Sequence, residues 1–136
     1  MLGTRFAIAD QRVVEALHRP ARARVLVVER LRLVDARPMS LQRSFLASPI
    51  GDAVVRADLA VTPLHQVLEF KLGVVISRAQ ETVSAVRLGR REARELGCRA
   101  GEPAFESERG SYDAAGSPLV FDRVVIPGDR LPSNRE

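Results

Sequence analysis

Cysteine and histidine are scarce in this sequence, which contains one cysteine, Cys98, and two histidines. A single cysteine excludes a disulfide within the chain, and so few thiol and imidazole groups exclude a zinc cluster built from them. Metal chemistry is therefore not indicated, and we expect neither a metal nor a cofactor.

Long apolar runs are also missing. No segment approaches the roughly 20 apolar residues of a membrane-spanning helix, and the first residues, MLGTRFAIADQR, carry a charge too early for a signal peptide. Hydrophobic residues make up 46% and charged residues 28% of the 136 residues, as in ordinary soluble proteins. We expect one cytoplasmic domain over residues 1–130, followed by a polar tail at residues 131–136.

Lysine is nearly absent, because Lys71 is the only one and arginine supplies the rest of the 21 basic residues. The formal net charge is +4, and most arginines are interleaved with aspartate and glutamate rather than gathered on a basic helix. With aromatic residues at only 4%, no platform for stacking bases is present. This composition predicts no specific binding to nucleic acid.

The sequence predicts two β-hairpins. The run ARVLVVERLRL at residues 23–33 is rich in β-branched residues and leucine, breaks at Asp35 and is followed by PMSLQRSFL. Near the other end, PAFESERGSY and LVFDRVVI flank DAAGSP, whose turn residues are Asp113, Gly116 and Pro118.

The two hairpins belong to an internal repeat of two. EALHRP aligns with RELGCR, and sliding one copy along the other brings these positions together: Leu17 with Leu96, Glu29-Arg30 with Glu108-Arg109, Pro38 with Pro118, Leu41 with Phe121, and Arg43 with Arg123. Each half therefore consists of a short helix followed by a hairpin. The alternative is chance similarity between two ordinary hairpins.

The segment between the copies, residues 47–87, has its own pattern. Thr62-Pro63 is typical of a helix start, LHQVLEFKL has apolar residues at helical spacing, and Gly73 is placed to end that helix. VVISRAQETVSAVRL then predicts a long strand.

A second short helix is predicted from Arg90 to Leu96, ending at Gly97. Strands outnumber helices, and hairpin connections make most strand pairs antiparallel. The predicted fold class is α+β, with a mostly antiparallel sheet and helices packed on one side.

Taken in order, these features resemble the UTRA domain, the effector-binding domain of HutC-type GntR bacterial transcription regulators, whose fold is similar to that of chorismate lyase. The resemblance covers most of the chain and is carried by these motifs: ERLRL with the turn to Pro38, TPLHQVLEFKLGVVI, AxxLG from Ala93 to Gly97, Gly101-Glu102-Pro103, Arg109, Tyr112-Asp113, Gly116, Pro118 and Gly128-Asp129-Arg130. Each motif alone is only a turn, cap or strand signature, so the specificity comes from their order. The resemblance implies a sensor of a small molecule, a homodimer, and DNA binding through a separate winged helix-turn-helix domain that is absent from this sequence.

The resemblance also implies a pocket beside the sheet, in which arginines of the first long strand engage an anionic group. Those positions are Arg30 and Arg32 here. Two residues apart on a strand, they point to the same face and can converge on one carboxylate or phosphate. The alternative is that Arg30 and Arg32 lie on a strand face that is exposed to solvent and bind no ligand. The family's serine at the central helix start corresponds to Thr62, whose hydroxyl, together with the free amide groups of the first helical turn, can bind an anion. Its simpler role is to cap that helix.

Two positions depart from the sugar-phosphate-sensing members of the family. Val120 and Ile126 stand where those members have a glutamate and a tyrosine on the last strand. An apolar wall offers no partner to sugar hydroxyls. The ligand implied is a smaller or more apolar carboxylate, such as an aromatic or unsaturated acid.

Four charged residues are further candidates for the effector site. Arg43 and Arg123 are equivalent in the two copies and are interpreted either as facing one cavity or as surface arginines. Glu81 and Asp122 are possible partners for them or for a cationic part of the effector. The phenylalanines are expected in the core rather than at the ligand: Phe45, Phe70, Phe105 and Phe121.

Two other functions remain open at this level. A chorismate lyase-like enzyme acting on a small unsaturated or aromatic acid needs no covalent nucleophile, so the lack of a catalytic triad around His18 or His65 does not exclude it. The chain is also compatible with an orphan dimerisation module. The resemblance favours the sensor over both.

Overall fold

The computed structural model describes residues 2–57, 59 and 63–130. Its strands are β1 (Gly3–Ile8), β2 (Arg24–Val34), β3 (Arg37–Ala47), β4 (Arg78–Arg87), β5 (Pro103–Tyr112) and β6 (Pro118–Pro127). They form one six-stranded sheet in the order β1-β2-β3-β6-β5-β4, with every neighbouring pair antiparallel. Its helices are α1 (Gln11–Leu17), α2 (Ile50–Val54), α3 (Leu64–Gln66) and α4 (Arg90–Leu96). The predicted α+β class is confirmed.

Both predicted hairpins are present, as β2 with β3 and as β5 with β6. The first turns through only two residues, Asp35 and Ala36, whose φ values are 52° and 64°. Two consecutive left-handed residues are the mark of a type I′ turn, whose twist matches that of the flanking strands. Ala36 is conformationally strained in this turn, because an alanine Cβ is crowded in the left-handed region.

Replacing Ala36 with glycine is expected to raise the free energy of unfolding by about 0.5–1 kcal/mol, because relief of the left-handed strain exceeds the added entropy of the unfolded chain. Urea unfolding measures the change. Ala115 in the turn between β5 and β6 is the matched control, because it is not among the residues with positive φ and its replacement by glycine should destabilise. Equal effects at the two positions would contradict the turn assignment.

The internal duplication extends further than the sequence indicates. The first half is β1-α1-β2-β3 and the second is β4-α4-β5-β6. Strands β3 and β6 pair at the centre of the sheet, with Arg43 directly opposite Arg123, so the pseudo-twofold axis passes between these strands. Each half therefore has one strand more than the predicted helix and hairpin, and β4 belongs to the repeat rather than to an independent central segment.

The two helices of the repeat, α1 and α4, lie on the same face of the sheet, as predicted. Val13 and Leu17 of α1 pack on Val25 and Val27 of β2. Helix α4 packs farther along, with Leu96 in a cluster that also contains residues of β3 and β6. This face is called the helix face below.

The segment between the halves covers part of the opposite face, called the cavity face below. One cluster of buried residues joins this segment to three strands of the sheet. Its members are Leu26, Val28, Leu46, Val54, Leu59, Leu64, Val67, Leu68, Leu119 and Val120. The first half of β2 is thus covered on both faces, which explains its uninterrupted apolar run from Val25 to Val28, whereas its last three residues are exposed.

The predicted central helix is present but irregular. Pro63 precedes α3, the chain continues as a π-helical turn at Val67–Lys71, and Gly73 follows in the left-handed region with a φ of 66°. The proposed cap, Thr62, lies outside the described residues, as does the predicted tail at residues 131–136. The predicted strand after Gly73 begins only at Arg78.

Two of the four phenylalanines expected in the core are exposed instead. Phe45 and Phe121 are buried, at 8% and 2% exposure, and contact each other on the helix face. Phe70 is 76% exposed and Phe105 is 39% exposed, so the expectation was wrong for both. Phe105 is open because the central segment covers the cavity face over β2, β3 and β6 but not over β5, whereas Phe70 lies on the central segment itself and is not part of its buried cluster.

Candidate functional site

A cavity of about 170 Å³ lies between the cavity face and α3. Its polar side chains come from four strands: Arg30 of β2, Gln42 and Ser44 of β3, Ser111 of β5 and Asp122 of β6. Helix α3 adds a further polar side chain, His65, and the rest of the wall comes from Pro63, Leu64, Leu68, Ile76 and Val120. The cavity therefore combines an apolar wall with polar groups that converge from the sheet, which is typical of a small-molecule site.

Strand register explains why these polar side chains converge. Arg30 lies opposite Gln42, and Ser44 lies opposite Asp122. Partners that lie directly opposite in an antiparallel sheet point to the same face. Three adjacent strands therefore present their polar residues to a single space.

Asp122 is held in place by two neighbours on β3. The Ser44 hydroxyl donates a hydrogen bond to Oδ1 of Asp122, and Nε2 of Gln42 lies 3.5 Å from the same oxygen. Burial raises the pKa of Asp122 above its ordinary value, against these hydrogen bonds and the charges of Arg109 and Arg30, which lower it. A carboxylate in this setting is partly desolvated and favours a cationic or hydrogen-bonding partner.

Arg30 lines the site and carries a buried donor. Its Nη2 atom is buried and has no hydrogen-bond partner within the part of the chain that the structure describes. A buried guanidinium nitrogen without a partner is costly. Arg30 and Gln42 also border a neighbouring, larger cavity of about 560 Å³, whose wall includes Arg32 and Ser40. The two spaces meet at Arg30.

The predicted site residues fall into two groups, and the first lies on the cavity face. Arg30, Asp122 and Val120 line the 170 Å³ cavity, and Arg32 lines only the neighbouring one. Ile126 is farther along β6, opposite Phe105. Glu81 is exposed on the edge strand β4, opposite Arg109. Thr62, outside the described residues, is not placed.

The second group, Arg43 and Arg123, lies on the helix face. Both arginines line one cavity there, of about 240 Å³. Arg43 pairs with Glu29 and Glu92, while Arg123 pairs with Glu108 and Asp10. The interpretation that the two arginines face one cavity agrees with this geometry, but the sheet separates them from Arg30.

Glu29 is the centre of the ionic network on the helix face. It is 3% exposed and accepts hydrogen bonds from Arg5 at 2.7 Å, Arg91 at 2.5 Å and Arg43 at 3.1 Å. Arg91 lies on α4 of the second half, so the ion pair between Arg91 and Glu29 joins the two halves. The equivalent contact in the opposite sense runs from Arg12 of α1 to Glu108 of β5, at 3.1 Å. The duplication thus repeats the same helix-to-strand ion pair.

Four polar residues of the cavity were missed by sequence reasoning: Gln42, Ser44, His65 and Ser111. The signal for two of them is the alternation of β3, because Gln42 and Ser44 flank Arg43 and must point to the other face. Ser111 is reached only through the pairing of β5 with β6.

Within the described residues, no group of three or more histidine, cysteine, aspartate or glutamate side chains is arranged to hold a metal ion. No helix in the same part of the chain has the length and apolar character needed to cross a membrane.

Comparison with known proteins identifies the fold. The family model of the UTRA domain matches residues 2–132. The C-terminal domain of Yurk from Bacillus subtilis superposes with a TM-score of 0.91 at 16% identity, over 96% of this chain and 90% of that chain. A GntR-family transcriptional regulator from Enterococcus faecalis V583 gives 0.83 at 22% identity, over 99% and 96%.

The effector domain of PhnF from Mycobacterium smegmatis is similar to the same extent, with a TM-score of 0.83 at 24% identity over 96% of this chain and 80% of that domain. The match covers 58% of a longer PhnF chain. At such identities these likenesses show a common fold.

Proposed function

Because the chain belongs to the UTRA domain family, we propose that it is the effector-binding domain of a bacterial GntR-type transcription regulator of the HutC subfamily, acting in the cytoplasm. Its effector is a small carboxylate-bearing metabolite that binds between the cavity face and α3. The domain spans residues 1–130, and DNA contact belongs to a separate winged helix-turn-helix domain.

The observation that carries this proposal is Arg30, whose side chain borders both spaces of the cavity face and whose buried Nη2 has no hydrogen-bond partner among the described residues. A planar guanidinium is suited to bind a carboxylate through two parallel hydrogen bonds. The aliphatic side chains of Leu64, Leu68 and Val120 then contact the body of the ligand. Arg32, which lines only the neighbouring cavity, supports the same anionic group.

A thermal-shift screen tests the proposal, using aromatic acids, dicarboxylates and sugar phosphates, followed by calorimetry on each hit. Saturable binding of an acid without change to the acid supports a sensor. Conversion of a bound acid to product would support the lyase-like enzyme instead, and the absence of any binding would leave a dimerisation module as the better account.

We predict that this chain has no preference for one DNA sequence over another. Its arginines are dispersed along the chain, and several are paired with acids on the helix face. Any binding should be non-specific and should weaken steeply with salt. Fluorescence anisotropy with an operator sequence and a scrambled duplex at physiological salt measures this. A clear preference for the operator would refute the prediction.

The domain is further predicted to form a homodimer. Strand β4 is an edge strand, and nearly all of its residues are exposed on both faces. An exposed edge of this length is a template for pairing with a second copy. Light scattering at micromolar concentration should give twice the chain mass of 15.0 kDa. A species at the mass of one chain would contradict the prediction.

A further inference from the structure

Two opposite charges face the same cavity without meeting. Arg30 and Asp122 both line the 170 Å³ space, yet neither forms an ion pair among the described residues. Strand β3 lies between their strands. The charges of Arg109, which lies opposite Asp122 on β5, and of Arg30 both act on the Asp122 carboxyl, but neither arginine forms an ion pair with it among the described residues.

On the helix face, by contrast, several charged side chains are paired. There Glu29 contacts three arginines, and Arg43 and Arg123 each contact two acids. Partly buried charges are expensive when they are left without a partner. A cation and an anion on the walls of one cavity, neither of them in an ion pair among the described residues, are together complementary to a ligand that carries both charges.

We propose that the ligand is amphoteric, with a carboxylate bound by Arg30 and an ammonium or similar cation bound by Asp122. This rests on the proposed function and narrows its ligand class from simple acids to amino acids and related molecules. Val120 stands beside Asp122 on β6, so this strand offers one carboxylate and one apolar contact to the same ligand.

The strand geometry sets the spacing of the two ligand charges. Neighbouring strands lie about 4.8 Å apart, so the backbones of β2 and β6 are separated by about 10 Å. Arg30 lies opposite Gln42, whereas Asp122 lies opposite Ser44, which adds an offset of two residues along the strands. The long arginine side chain shortens this separation. A short aliphatic chain between carboxylate and amine is therefore the best match.

The contacts of Asp122 favour its role as a cation acceptor. Ser44 and Gln42 both donate to Oδ1, which fixes the orientation of the carboxylate. The apolar residues Leu64 and Leu68 lie across the cavity on the central segment. They can contact methylene groups of a ligand whose two ends are held by the sheet.

The test is calorimetry of the whole chain with unbranched ω-amino acids from β-alanine to 6-aminohexanoate, each compared with the carboxylic acid and the amine of the same chain length. The best amino acid should bind at least about tenfold more tightly than its matching acid or amine, because one additional charge-assisted hydrogen bond is formed. Asp122→Asn should reduce the affinity for the amino acid to that for the acid and leave the acid unchanged.

Glu106→Gln is the matched control. Glu106 is another carboxyl whose pKa is raised by burial, but it lies opposite Val125, which points to the helix face. This variant removes the same charge on the other side of the sheet and should not alter the affinity for any member of the series.

The outcomes separate this inference from the function on which it rests. If acids bind as tightly as amino acids and Asp122→Asn affects neither, the amphoteric ligand is wrong and the acid sensor stands. If amines bind and acids do not, both proposals fail. If no member of the series binds, the amphoteric ligand is wrong, and the screen of aromatic acids and dicarboxylates alone decides the acid sensor.

The stability of the unliganded variant gives a second check. Asparagine keeps the oxygen that accepts from Ser44 and removes the desolvated charge, so Asp122→Asn should be at least as stable as the parent. A marked loss of stability would assign Asp122 a structural role and overturn the inference.

Discussion

Replacing Glu29 with glutamine is expected to lower the free energy of unfolding by about 3 kcal/mol, since it removes the carboxylate from a buried ionic cluster. Glu29 is 3% exposed, and three arginines donate to it from β1, β3 and α4. Without its charge, these guanidinium groups repel one another and lose their common acceptor. Urea unfolding at neutral pH measures the effect.

Glu15→Gln is the matched control for this substitution. Glu15 is exposed on α1 and contacts only Gln11 among the described side chains, so its replacement should change stability by a few tenths of a kcal/mol. Similar losses for the two variants would show that the network on the helix face contributes little.

The pH dependence of the Glu29 contribution has a defined direction. Burial would raise the pKa of Glu29, but hydrogen bonds from Arg91 and Arg5 and the charges of both outweigh it and hold the pKa below its ordinary value of 4.5. A lowered pKa stabilises the fold above the ordinary value, and this contribution is lost as the pH falls through the folded-state pKa. The difference between the parent and Glu29→Gln should therefore be constant near neutrality and shrink below about pH 4.5.

Replacing Arg30 with alanine is expected to weaken binding of the carboxylate ligand by about 1.5–3 kcal/mol, which is more than tenfold. Lysine should restore only part of the affinity, because it keeps the charge but lacks the planar fork. Arg32→Ala should reduce the affinity less than Arg30→Ala, since Arg32 is exposed and lines only the neighbouring, larger cavity. Calorimetry with the best acid or amino acid measures these differences.

Arg90→Ala serves as the control for the loss of one arginine, because Arg90 is exposed on α4, on the other side of the sheet. The affinity of the Arg90→Ala variant for the ligand should equal that of the parent. If Arg30 and Arg32 can both be replaced by alanine without loss, the assigned site is wrong.

Local patterns predicted much of the fold because they reflect local physics. Gly97 ends α4 with a φ of 68°, a conformation that glycine adopts without strain. The turns at Asp35 and Gly116 separate strands of matching length. The equivalence of Arg43 and Arg123 in the sequence corresponds to direct pairing across the centre of the sheet.

Strand β1 escaped prediction because little in its own sequence stabilises it as a strand. It is six residues long, has no fully buried residue and is held by pairing with β2. Phe70 and Phe105 were misassigned for a related reason. An aromatic residue is buried only where another element covers it, and the extent of the central segment is a tertiary property.

The candidate site was only partly predictable. Arg30 and Arg32 share a face by strand alternation alone, and Asp122 was recognised as a charged residue of the last strand. Alternation does not say which face carries the cavity, because Val25 and Leu26 are both buried, on opposite sides of β2. The separation of Arg43 from Arg30 therefore became visible only once the helices were in place.

The most direct test of the central claim is to map ligand-induced shifts of the backbone amide resonances in isotope-labelled protein, using the tightest ligand from the screens. The account predicts that the largest shifts occur around Arg30, Gln42, Ser44, Ser111 and Asp122, on the cavity face. Shifts concentrated instead around Glu29, Arg43 and Arg123, on the helix face, would contradict it.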